Sequence, residues 1–278
     1  MERRIILRGG LLGALGGLLA FVFARIFAEP IIQRAIEYEE GRDEAQHKLE
    51  AAAGGHSHGD GAELFTRAVQ SNFGIAVGII AFGFAMGLLF AVLYTVLYGR
   101  YSSLNPTNLT LVLAGAMFFV LYLVPFLKYP ANPPAVGHED TIRARTGLYL
   151  LMVVVSIAAL VFAVWLARRL TERFGNWNAA LLAGAAFIVI VGIVMLALPS
   201  LGQLSTNVAE YGDYATETPQ PLKDAAGNIV FPGFPADDLY YFRLYSIGAQ
   251  IILWATIALG FAPFARRLLG DRSETVAA

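Results

Sequence analysis

Cysteine is absent from the 278 residues, which excludes a disulfide framework and any cysteine-ligated zinc or iron–sulfur centre. Lysine is nearly as scarce: Lys48, Lys128 and Lys223 are the whole set, and none follows a glycine. A GxxxxGK[ST] phosphate loop is therefore missing, and a nucleotide-driven motor would have to sit on another chain. An HExxH zinc helix and a nucleophile–base constellation are missing too, so no enzyme is expected. Charge is thin: 15% of the chain is Asp, Glu, Lys or Arg, against roughly 25% in a soluble domain, while 57% is hydrophobic. With a mean hydropathy of +0.59, the chain has too little polar surface to cover a water-soluble body of its size. It reads as an all-α membrane protein, a single polytopic domain whose first partner is the lipid bilayer.

A bilayer core about 30 Å thick needs ~20 apolar residues in helix. Six runs qualify: residues 5–28, 74–98, 108–127, 146–167, 178–199 and 244–265. The first is longer than the roughly 7–15-residue core of a signal peptide and lacks a clean A-x-A site, so it is expected as a mature helix. Loop charge orients the set. The N-terminus, the loop at Arg100, the ARRLTERFGNW loop and the tail carry ten arginines against four acids. The opposite side carries ten basic and seventeen acidic residues and owns the long loops 29–73, 128–145 and 200–243. Basic residues close to span ends mark the cytoplasmic side. Both termini are expected in the cytoplasm and the longer acidic loops outside it. Trp165, Trp177, Tyr98 and Tyr101 would lie at the cytoplasmic boundary as interfacial aromatics.

The first run reads GGLLGALGG, with Gly9, Gly13 and Gly17 four apart on one face; the second holds Gly74, Gly78, Gly83 and Gly87. Small residues at this spacing let helix backbones approach where lipid offers no hydrophobic drive. Either these two helices pack together, or they meet another subunit.

Candidate ion-handling groups are few. Glu29 stands four residues after Arg25 at the outer end of the first run, where a charge is costly and usually paired. It is either a structural partner of Arg25 or a carboxylate at the mouth of an ion path. After an amphipathic stretch beginning at Pro30, GGHSHGDG places His56 and His58 two apart with Asp60 nearby. Imidazoles so spaced either take a borderline divalent ion such as Co²⁺, Ni²⁺ or Zn²⁺ or simply decorate a solvated linker. Asp237 and Asp238 precede the last run and serve equally as helix caps or cation contacts. The Asp-Ala-Ala-Gly-Asn turn at residues 224–228 suits a small hairpin. No span interior contains Asp, Glu or His, the usual proton relays. An ion crossing here would have to use backbone carbonyls, Tyr122, Asn132, Gln250 or water.

The stretch PFLKYPANPPAVGHED packs Pro125, Pro130, Pro133 and Pro134 into ten residues around Lys128 and Asn132. Its prolines are expected to stop the third helix and hold the chain extended before the fourth. Lys128 is expected to pair with an acid such as Glu29 or to reach lipid phosphate. The stretch is thus a rigid turn rather than a ligand set.

LYLVPFLKYPANPPAVGHEDTIRARTGLYLLM, residues 121–152, resembles the signature region of the CbtA family of probable cobalt transporter subunits. LRGGLLGALGGLLAFVFARIFAEPIIQRAIEYEE and FPGFPADDLYYFRLYSIGAQIILWAT resemble the first and last helices of the same family, in the same order. The resemblance implies a subunit in the bacterial inner membrane serving Co²⁺ uptake for cobalamin synthesis. It also implies a small companion, CbtB, with one span and a histidine-rich end, and leaves room for other membrane subunits. Co²⁺ would be cargo rather than a permanently bound cofactor, and no nucleic-acid partner is expected. Family members often carry a richer histidine tract in the first outward loop; here it is reduced to His56 and His58. A non-transporting scaffold subunit is the competing expectation.

Overall fold

The computed structural model describes residues 2–52, 74–101 and 104–269. His56 and His58 lie outside the described residues. The chain divides into two compact units, one of residues 1–34, 50–118 and 240–278, the other of residues 35–49 and 119–239. Among the described residues, five helical stretches are long and apolar enough to cross a membrane.

The first unit is built on α1 (Glu2–Phe27), α3 (Ile75–Arg100), α4 (Pro106–Phe118) and most of α8 (Ala236–Leu269). Gly9, Gly13 and Gly17 present bare backbone to α3. A Cβ on Gly13 would overlap the Gly83 carbonyl oxygen and lie 2.8 Å from Gly87 Cα; one on Gly17 would lie 2.7 Å from the Ile79 carbonyl oxygen. Because Gly9 meets Gly87 and Gly17 meets Ile79, the two helices run antiparallel. On another face, Gly16 meets Leu253, Leu12 meets Gly260 and Phe23 meets Gly248, so α8 also runs antiparallel to α1. This arrangement gathers the start of α1 and the ends of α3 and α8 at one end. There Phe90, Tyr94 and Phe261 form a buried aromatic knot. At the other end Phe23 and Phe27 pack on Tyr245, which stacks on Tyr241. Gly74 and Gly78 face open space.

The second unit contains the C-terminal part of α2 (Glu29–Ala52), a π-helical segment Phe119–Leu123, and α5 (Val124–Lys128). It continues with α6 (Ile142–Ala197), α7 (Ser205–Tyr211), and a hairpin of β1 (Leu222–Lys223) and β2 (Ile229–Phe231). At 1.5 Å per residue, the 56 residues of α6 would reach about 84 Å if straight, far beyond a bilayer. They do not run straight. Gly175 has φ 74° and ψ 167°, a conformation open almost only to glycine, and it reverses the chain. Met152, Ala159 and Ala163 before it pack in one core with Ala183, Phe187 and Val191 after it. The expected runs 146–167 and 178–199 are thus the two arms of this element.

The third apolar run ends where its prolines were expected to end it: helix continues to Lys128 and gives way to irregular backbone at Tyr129 and Pro130, while Pro125 is accommodated at the beginning of α5. A proline removes one donor from the ladder, freeing the carbonyl four residues earlier, here Leu121. The widened π turn and two side chains of α6 absorb the loss. Tyr149 donates its hydroxyl to the Leu121 carbonyl (3.2 Å), and Ser156 Oγ lies 2.6 Å from that of Val120.

Candidate functional site

The second unit holds residues 35–49, 128–145 and 200–239 of the three long loops, and these segments share one small core. Ala35 and Tyr38, one turn apart on α2, pack with Val136 of the PANPPAVG stretch and Phe234 of the FPGFP stretch. Tyr38 donates its hydroxyl to the Pro232 carbonyl (2.9 Å), and Arg42 donates to the Gln220 carbonyl (2.8 Å). Glycine at position 41 lets Phe231 approach α2. The predicted hairpin forms: Asp224 accepts from the Ala226 and Asn228 amides and from the Asn228 side chain. These donors hold its carboxyl below the ordinary aspartate value.

Beneath this layer lies a buried polar knot that sequence reasoning missed. Glu217 is only 2% exposed. Its carboxylate accepts from the Asn132 side-chain amide, from Asn207 Nδ2 (3.4 Å), and faces the Arg145 guanidinium at 3.6 Å. Arg145 also reaches the Val136 carbonyl. Gly137, at φ 95°, completes the fit: a Cβ there would lie 2.6 Å from Glu217 Oε2 and 2.8 Å from the Arg145 nitrogen. Burying a carboxylate is costly unless it is paired and hydrogen-bonded, and here both conditions hold. Asn132 is therefore committed to this knot as a donor.

Lys128 corrects one expectation. Its Nζ donates to the Leu198 carbonyl at the C-terminal cap of α6 (2.9 Å), beside a Tyr129–Pro199 hydrogen bond. A cation at a helix C-terminus completes an exposed carbonyl and meets the negative end of the helix dipole. Pro130, Pro133 and Pro134 follow in irregular backbone, with Ala135 held at φ 67°.

The candidate ion contacts are dispersed in the chain. Glu29 opens α2 and is buried at 8% exposure, whereas Arg25, one turn earlier, is exposed. The two do not share one environment. Asp237 is exposed in the first turn of α8. Among the described residues, no group of three or more His, Asp or Glu side chains could hold a metal ion together. Acids do gather in a looser way: partial desolvation, with added repulsion from Asp43, Glu139 and Glu40, pushes the Glu39 carboxyl up. Such a patch attracts cations without chelating them. In the first unit, Gln250 Oε1 on α8 is a buried acceptor with no hydrogen-bond donor among the described residues.

The model of the CbtA family, described as a probable cobalt transporter subunit, matches residues 2–266. The chain belongs to the CbtA family. No curated protein and no solved structure matches it. In this CbtA chain Asn132, Gly137 and Arg145, all between the third and fourth apolar runs, build the Glu217 knot. These residues shape the loop layer.

Proposed function

We propose that this chain is the membrane subunit of a Co²⁺ uptake system serving cobalamin synthesis, placed in the bacterial inner membrane with both termini in the cytoplasm. The observation that carries the reading is the family match over nearly the whole chain. The loop core supports the topology. Segments after the first, third and fifth apolar runs pack on one another, which requires them to lie on the same side of a bilayer. Six crossings satisfy that requirement if the two arms of α6 each cross once, with Gly175 on the opposite side.

The acidic loops raise the local concentration of a divalent cation. Glu29, His56, His58 and Asp237 are the proposed ion contacts outside the spans, and Gln250 Oε1 supplies an oxygen within one. Span interiors without Asp, Glu or His favour a path completed by a partner, the small single-span, histidine-rich CbtB. The test is cobalt accumulation in cells with and without the gene under cobalt limitation. Reduced uptake in the deletion strain is expected; equal uptake in both sinks the proposal.

The scaffold reading draws on the same scarcity of intramembrane ligands. Purification in mild detergent separates the two. Co-isolation with an unrelated respiratory or photosynthetic assembly would favour the scaffold.

A further inference from the structure

We infer that the groove between α1 and α8, at the arginine-rich end of the first unit, binds the headgroup of an anionic phospholipid. The groove has a volume of about 390 Å³ and is lined by Arg8, Gly260, Pro263, Phe264, Arg267 and Leu268. Its floor is apolar, and its two polar side chains are both guanidinium groups. Neither Arg8 nor Arg267 forms an ion pair with a carboxylate among the described residues, and both are exposed.

The geometry prepares one of them. Arg8 Cζ stands 4.1 Å from the ring centroid of Phe264, so a cation–π contact holds the guanidinium over that ring of α8. Stacking occupies a face of the planar group and leaves its N–H edges available for the paired oxygens of a phosphate. Arg267 follows Phe264 by three residues and Pro263 by four, which puts all three on one face of α8. Gly260, one turn before Phe264, lets Leu12 of α1 approach and closes the deep end of the groove.

Two surroundings select a lipid as the occupant. Antiparallel packing brings Arg3, Arg4, Arg100 and Arg266 to the same end, with Glu2 as the acid nearest in sequence to the first three turns of α1, so the local field is cationic. Leu7, Leu11 and Leu259, next to groove residues, are 55%, 58% and 68% exposed, a surface suited to acyl chains in a bilayer. A phosphate on the arginines with acyl chains along these leucines satisfies both. The inference is independent of which ion the protein carries.

The test uses the full chain in nanodiscs and native mass spectrometry. Phosphatidylglycerol should be retained over phosphatidylcholine by about tenfold, because both headgroups carry a phosphate but the choline cation cancels its charge beside the two arginines. Arg8→Gln/Arg267→Gln should erase that preference, whereas Arg3→Gln/Arg4→Gln should keep it. Equal retention of the two lipids by the wild type overturns the inference. So does equal loss in both double variants, which would indicate a diffuse field. Full displacement of the lipid by millimolar inorganic phosphate would indicate an anion site that needs no lipid and also overturns it. If the groove variant fails to fold, a photoactivatable phosphatidylglycerol on the wild type decides: adducts within residues 260–268 are expected, and adducts only elsewhere refute the site.

Discussion

Replacing Gly13 by alanine isolates the contact that holds α1 against α3. The added methyl would overlap the Gly83 carbonyl oxygen and sit 2.8 Å from Gly87 Cα and 2.9 Å from Gly87 nitrogen, all of them backbone atoms that cannot rotate away. To restore the 3.4 Å at which ordinary contact begins, the helices must part by about 0.6 Å at Gly87 and by more at Gly83. A gap of roughly 0.5–1 Å forfeits a quarter to a half of each dispersion contact along the seam. It also lengthens the Cα–H···O contacts that the reciprocal glycine–carbonyl approaches imply, each worth ~0.5–1 kcal/mol. Alanine returns about 1 kcal/mol through its better helix propensity. The net loss should be ~1–3 kcal/mol, the usual range for overpacking. Gly78→Ala is the matched control, since nothing lies within 4 Å of its Cβ position. It should be neutral or stabilising by up to about 1 kcal/mol. Reversible SDS unfolding in mixed micelles reads both variants. Equal stability of Gly13→Ala and Gly78→Ala would refute the packing argument.

Glu217→Gln leaves Arg145 without its counter-charge inside the knot, and a loss of ~1–3 kcal/mol is expected, moderated because Arg145 is 26% exposed. Thermal unfolding gives the magnitude, and faster amide exchange confined to residues 129–141 would show that the loop has been released; unchanged exchange there argues against the knot. Gly175→Ala must either hold a strained φ of 74° or straighten the reversal, so a loss of ~1–3 kcal/mol is expected although the Cβ itself has room. Full retention of stability would mean that the reversal does not depend on this backbone conformation. Asp224 has a folded-state pKa below its ordinary value of about 3.9, so its support of the hairpin is complete above that pH and lost as pH falls through the lowered value. The Asn228 amide resonance should therefore move only below about pH 4; a shift centred at or above the ordinary value contradicts the assignment.

The long apolar helices were legible because a bilayer demands them whatever their partners. The Asp224 turn was legible because its chemistry is local. Glycine faces were only half legible: GxxxG spacing marks Gly74 and Gly78 as readily as Gly83 and Gly87, but only the latter meet α1. Which face of a helix meets a neighbour depends on tertiary packing, and spacing carries no record of it. How Pro125 is tolerated inside the third run was not legible, because the donors that accommodate it, Tyr149 and Ser156, belong to another helix. Lys128 suggested an acid, since a helix-end carbonyl 70 residues away leaves no trace beside it. Glu217 looked like one more loop acid near Glu210 and Asp213, and nothing adjacent announces its burial. The proposed contacts His56 and His58 rest on sequence chemistry alone.

The knot also sets an order of events during synthesis. Asn132 and Glu217 are 85 residues apart, with both arms of α6 between them. At a synthesis rate of ~5–20 residues per second, Asn132 has been made for roughly 4–17 s before its acceptor exists. Throughout that interval Arg145 has no Glu217 to face, and the PANPPAVG segment lacks its lock. The loop layer therefore closes late, after both arms of α6 have been made. A nascent chain arrested before residue 217 should carry its apolar helices with an unlocked signature loop, open to proteases and to chaperones of membrane insertion.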